Sequence, residues 1–462
     1  MFILSIVIFF LLGLSVVNLI SKDFSRGEKI GYSLLVGIPL NTFFILILSI
    51  LGIRTSAVAL IIISLLLTVI LNIKNIKPIA ESFNQIKKAN LSKVNLRNYN
   101  FVWLGLILIS AYIAYGISAK NLYWPTFAFD SIAGYDLMGK VTAAEGTINN
   151  SLFDETGMAI TGSAHRIIYP PMVAGSFAIA YMNGLELPKV MITLFFVFFF
   201  ISLYFLSKKY NTKTGAAIIV FLTIITPEMT SHAALSLINL PQAVFVGLGY
   251  IALWIWISSN DKKYLILSAV FLAINVWTRS DGIVFNFVAG LVVLYFCLKQ
   301  KNYKDLILFG TLVLLPFVTW YSFMAVRNIK AAVPNQQLLV THLFWDSQKL
   351  KDLWGGVKYV LLSTNYYGAI LYLFFGAVAV NIFNIYKKQQ LPLLFLIIFS
   401  WLTFTFFYYQ IDYSWDSMQN VISYSYKRAF FCFVPMLAFY IASNKLSLNL
   451  LNKFENYITG KS

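Results

Sequence analysis

Val190–Leu206 reads VMITLFFVFFFISLYFL and is followed at once by Ser207, Lys208 and Lys209. An uncharged run of this length spans most of a bilayer core about 30 Å thick. No water reaches the backbone there, so every amide must be satisfied within the segment, which makes it a helix. The lysines at its end are the second half of the signal, because basic residues collect on the cytoplasmic side of membrane helices. Working outward, Met1–Ile20, Ala57–Ile73 and Ile283–Leu298 are further apolar runs of this kind. The chain of 462 residues is 59% hydrophobic and only 11% charged, against about 25% charged in a soluble domain. Composition therefore predicts an all-α polytopic membrane protein.

A net charge of +17 raises the question of nucleic acid. The basic residues answer it by sitting in short clusters between apolar runs, where a membrane topology needs them. Lys74, Lys77, Lys87, Lys88, Lys93 and Arg97 mark the linker 74–100 as the most strongly cytoplasmic segment. Lys208/Lys209/Lys213, Lys262/Lys263, Lys299/Lys301/Lys304, Lys387/Lys388 and the tail from Lys445 follow the same rule. Alternation between these clusters gives about 13 transmembrane helices. Met1–Ile20 lacks a basic start and a small-residue cleavage site, so it reads as a retained first helix with its N-terminus outside. Pro171–Gly184 opens with two prolines and is too short to cross, so it is expected to lie at the outer interface. Cys297 and Cys432 lie in apolar segments and imply no disulfide framework.

This topology sends the protonatable groups outward. His165, His232 and His342 all fall in outer loops or at outer helix ends, as do Asp130, Asp136, Glu228 and Asp281. The richest stretch is the first large outer loop, which runs from Trp124 through Phe127, Phe129, Asp130, Tyr135 and Asp136 to His165, Arg166, Tyr169, Pro170 and Pro171. A carboxylate set among aromatics beyond a helix end is partly desolvated, and so suited to take a proton. The plain alternative is that Asp130 caps the helix beginning at Ser131. His232 and Glu228, in Thr226–His232, form either an interfacial pair or a metal or acceptor site.

An outer-loop Asp soon after a transmembrane helix, followed by a Tyr-Pro-Pro juxtamembrane helix, resembles the GT-C superfamily of polyprenyl-phosphate-sugar-dependent glycosyltransferases. The order is similar to that of protein O-mannosyltransferases and the aminoarabinose transferase of lipid A. Trp277-Thr278-Arg279-Ser280-Asp281-Gly282 resembles the Thr-Arg-Pro-Glu-Gly type turn at the outer end of a middle helix. Tyr424–Arg428, leading into Phe430–Pro435, resembles the Arg-containing start of a late helix. Asp130 is followed by Ser rather than a second acid, and Ser280 stands where the family has Pro, which leaves metal dependence and subfamily open. The resemblance implies that a sugar moves from a polyprenyl phosphate to a glycan, lipid or protein acceptor at the outer face of the inner membrane. Asp130 would be the general base with Asp136 in support. Arg166, Arg279 and Arg428 would hold the donor phosphate, with Lys427 and His165 behind them. Tyr169, Glu228, His232 and Asp281 complete the candidate set. No organic cofactor follows from this, and a divalent metal stays open.

Three segments are expected. Residues 1–100 form an N-terminal three-helix membrane segment with a basic linker. Residues 101–444 form the GT-C-like module, with outer loops 119–187 and 325–366, the second amphipathic in part. Residues 445–462 form a cytoplasmic tail. The competing readings are an O-antigen ligase or polymerase, which places its key loop late, and a transporter, which places charges near helix midpoints.

Overall fold

The structure is a computed structural model, and it describes residues 1–73, 100–153, 169–329, 346–382, 391–410 and 417–459. His165, Arg166 and His342 lie outside the described residues, as do the basic part of the linker and Lys387/Lys388. Among the described residues every regular element is helical. They are α1 (Phe2–Ile20), α2 (Arg26–Ile50), α3 (Ala57–Asn72), α4 (Phe101–Tyr123), α5 (Asp136–Glu145), α6 (Met172–Met182), α7 (Lys189–Ser207), α8 (Lys213–Ile224), α9 (Pro227–Ala233) and α10 (Asn239–Ser259). They continue with α11 (Lys262–Thr278), α12 (Gly282–Gln300), α13 (Tyr303–Val326), α14 (Ser347–Leu362), α15 (Thr364–Tyr367), α16 (Ile370–Val380), α17 (Leu391–Gln410), the irregular rod α18 (Met418–Ser443) and α19 (Lys445–Thr459).

Eight of these helices are long and apolar enough to cross a membrane, and up to ten if the bent pairs α8/α9 and α18/α19 each count as one span. The chain is thus a polytopic helical membrane protein. α10 is its axis, with 94% of its apolar window buried, whereas α4 at the periphery has 6% buried. The first helices belong to the same packed body. α2 packs on α7 and α6, and Trp277 Nε1 on α11 donates to Thr42 Oγ1 at 2.8 Å. Gly13 and Gly37 let α1 and α2 touch backbone to backbone, since a Cβ on either would meet Ser33 O or Phe9 O at 2.0 Å or less. Small residues at such crossings are the usual means of close helix approach in lipid.

The bundle has two chemically distinct ends. At one, buried Glu28 closes a capping box with Ser25 and meets Lys209 at 3.0 Å, while Lys262 pairs with Asp305. Thr214 there accepts a bond from Asn100 at 2.7 Å and donates one to Glu455 at 2.7 Å, and Asn211 donates to Ala442 O at 2.9 Å. At the opposite end Thr55 N donates to Gly146 O at 2.6 Å, Ser5 to Asn183 at 2.9 Å, and Lys189 to Trp124 O at 3.2 Å. Asp130, Glu228, Arg279 and Arg428 gather at this second end.

α6 differs from an interfacial helix in one respect. From Met172 to Ala180 every residue is buried, because α5 and α2 cover it. At 11 residues it is too short to span, and its uniformly apolar surface is spent on protein contacts.

Candidate functional site

Trp124 leaves α4 in an extended conformation, as a residue before proline must. The chain turns helical again around Asp130 and makes a π-helical turn over Ser131–Tyr135 before α5 begins. Asp130 makes no side-chain capping bond here. Its carboxylate instead accepts from Arg428 Nη1 at 3.0 Å, across 298 positions of sequence. Arg428 follows a second π-helical turn, Ile422–Tyr426 in α18, and its Nε donates to Tyr424 O at 2.8 Å. The guanidinium is therefore held on two sides. π-turns insert one residue and swing the side chains that follow, which is why they recur at functional sites. Among the described residues both π-turns adjoin this one ion pair. The carbonyls of Lys427 and Arg428 accept from Tyr367 Oη at 2.6 Å and from Asn239 Nδ2 at 3.1 Å, which ties the irregular backbone to α15 and α10.

A second charged group adjoins the first. Pro227 starts α9, placing Glu228 in the first turn and His232 one turn later. His232 Nε2 lies 3.2 Å from Glu228 Oε2, and Lys427 Nζ lies 3.1 Å from Oε1. The imidazole stacks on Phe431 with centroids 4.8 Å apart, and Lys427 sits over the Tyr366 ring at 4.4 Å. Neighbouring cations of α18 thus each hold one carboxylate, from two different segments. Both groups line a single cleft of about 320 Å³, with Phe127, Phe129, Ser231, Leu235 and Leu237 supplying most of the remaining wall. Phe127 and Phe129 expose more than half of their surface, giving the cleft an aromatic rim. The volume falls in the lower range for small-molecule sites.

The other candidates lie around this cleft without lining it. Asp136 is buried, accepts from Tyr181 Oη and has Lys140 at 3.9 Å. Arg279 pairs with Asp281 at 3.0 Å, and Gln242 Nε2 donates to Asp281 Oδ1 at 2.8 Å. Burial works against the Arg279 cation. The Asp281 carboxylate outweighs it and pushes its pKa up. Asn239 and Gln242, one turn apart on α10, connect this pair to Arg428. Tyr169 packs on Tyr135 with centroids 6.3 Å apart. Among the described residues no group of three His, Cys, Asp or Glu side chains could hold a metal ion. Glu228 and His232 supply two such donors, and Lys427 takes the other carboxylate oxygen. Sequence reasoning saw the Glu228–His232 spacing but not the Lys427 bond to Glu228 or the Tyr181 bond to Asp136, which no local pattern announces.

No protein-family model, curated protein or solved structure matches the chain.

Proposed function

We propose that this protein is a GT-C-type glycosyltransferase, moving a sugar from a polyprenyl phosphate to a cell-envelope acceptor at the outer face of the membrane. The observation that carries the reading is the meeting of Asp130 and Arg428 in an aromatic-rimmed cleft at one end of a helical bundle. A base and a phosphate-binding cation side by side are what such a transfer requires. The acceptor oxygen bonds to the anomeric carbon as the bond from that carbon to the phosphate oxygen breaks. Asp130 takes the hydroxyl proton, and the polyprenyl phosphate leaves as an anion. Arg428 spends Nη1 on Asp130 and Nε on Tyr424 O, which leaves Nη2 for that anion, with Lys427 beside it. Charge-assisted contacts to a developing phosphate anion are the most effective use of such cations.

The count of about thirteen crossings belongs to the same reading. It takes the eight long helices, the two bent pairs, and the shorter α3, α11 and α16 as spans. The test is transfer from a polyprenyl-phosphate sugar by purified protein, wild type against Asp130→Asn. The amide keeps the size of the side chain and removes its basicity. A general base contributes about 10²–10⁴-fold, so turnover should fall by at least the lower figure. Undiminished transfer by the variant would remove Asp130 as the base, and no transfer by wild type would end the reading.

A further inference from the structure

His232 stands out among the residues that line the cleft. It is only 2% exposed, and it alone of them has a buried side-chain polar atom, Nδ1, with no hydrogen-bond partner. Native proteins rarely leave such an atom unsatisfied, so it calls for a partner such as a water or a ligand hydroxyl. The rest of the ring is fully committed. Nε2 meets Glu228, and the face stacks on Phe431. Asp130 and Glu228 are already matched by Arg428 and Lys427, so a third cation in this cleft would lack a counter-charge. The neutral ring that donates Nε2–H to Glu228 keeps a lone pair on Nδ1. That atom accepts a hydrogen bond and cannot give one.

We infer that His232 Nδ1 accepts a hydrogen bond from a ring hydroxyl of the donor sugar, making His232 a specificity residue of the transferase proposed above. Geometry favours the donor sugar over the acceptor. Lys427 and Arg428 hold the phosphate in that reading, and Glu228 ties His232 directly to Lys427. In that reading the ring attached to the phosphate lies in the cleft whose wall His232 forms. Phe127 and Phe129 at the rim offer its C–H face apolar contact. Glu228 is then a positioning residue, fixing the tautomer and tilt of the imidazole as the second-rank partner does in other dyads.

Two substitutions separate the two nitrogens. His232→Gln carries a polar group to the Nε2 position and keeps the bond to Glu228 while removing the Nδ1 acceptor. His232→Asn places a carbonyl oxygen near Nδ1 and gives up Glu228. The probes are polyprenyl-phosphate-linked glucose, mannose and arabinose, each with its monodeoxy analogues, and kcat/KM is read for every pair. Wild type should discriminate against one deoxy position by about 10–100-fold, the effect of leaving a buried partner unpaired. His232→Gln should reduce that ratio to a few-fold, and His232→Asn should retain most of it at lower overall activity. The inference is overturned if wild type ignores every deoxy substitution, if His232→Gln discriminates fully, or if His232→Asn falls as far as His232→Gln. Wild-type protein that transfers none of the sugars ends the transferase reading and this inference with it. Transfer that occurs without the predicted ratios ends this inference alone.

Discussion

Asp130 and Asp136 flank a single π-turn, and the fold gives them different neighbours. Asp130 faces Arg428 in the cleft, whereas Asp136 is buried against Tyr181 and Lys140. Asp136→Asn should therefore act mainly on stability. Weakening a buried bond to a charged group costs about 1–3 kcal/mol, visible as a lower thermal midpoint in detergent while turnover changes less than in Asp130→Asn. A turnover loss equal to that of Asp130→Asn at unchanged stability would put Asp136 in the chemistry. The Asp130–Arg428 contact itself can be measured by a double-mutant cycle with Arg428→Gln. Groups in direct contact couple by about 0.5–3 kcal/mol, so the two losses in kcat/KM should not add. Strict additivity would mean that the pair is incidental to turnover. Both acids stood out in the sequence as carboxylates among aromatics, but nothing local distinguished them. Their separation comes from the π-turn, which no propensity announces, and from partners 298 positions away for Asp130 and 45 for Asp136. Arg279, by contrast, finds its carboxylate partner, Asp281, only two positions along the chain.

At the scale of elements, the apolar runs fall on helices, and the helix ends follow polar residues instead. α2 begins at Arg26 because Ser25 and Glu28 form a reciprocal cap, and α18 begins at Met418 because the helix continues through a π-turn. Polar residues at those starts hid them from a hydropathy reading. Asp346 caps α14 by accepting from Gln348 N at 2.9 Å and Lys349 N at 3.0 Å, and α14 lies against the start of α18. The expected amphipathic segment is thus in place from Ser347 onward, its earlier leucines lying outside the described residues. The crossing of α1 and α2 offers a sharper test. Gly37→Ala puts a methyl at 2.0 Å from Phe9 O, a backbone atom that cannot swing aside. Overpacking of this kind costs about 1–3 kcal/mol, and unfolding in detergent should show it. Gly290→Ala is the control, since its Cβ would meet nothing within 4 Å, and it should be neutral or slightly stabilising. Equal behaviour of the two variants would mean that α1 and α2 do not touch at Gly37.

For the whole molecule, the contacts fix which residues share an end, and charge decides which end faces the cytoplasm. Lys208, Lys209, Lys213, Lys262, Lys263 and Lys445 gather at the end away from the cleft, and among the described residues Glu28, Asp305 and Asp261 pair with three of them. Basic residues in short loops are retained on the cytoplasmic side, so the cleft should face outward, where the proposed transferase would meet its lipid-linked sugar. This expected sidedness rests on the order of charges along the chain. The cleft was not legible there, because Asp130 beyond α4, Glu228 on α9 and Arg428 on α18 come together only when the chain folds. Single cysteines read by a membrane-impermeant thiol reagent in intact cells test the orientation. Asn150 is a poor position, being buried and bonded to Thr142, whereas Ala144 nearby is exposed. Lys208 is exposed at the opposite end. The native thiols, Cys297 and Cys432, are both buried and should leave a low background. Ala144→Cys should label at once and Lys208→Cys only after the membrane is permeabilised. The reverse pattern would place the cleft in the cytoplasm and deprive an outer-face transferase of its site. Labelling of both in intact cells would mean that Ala144 and Lys208 do not lie on opposite sides of the bilayer, and the alternation of charged ends that underlies the topology would have to be redrawn.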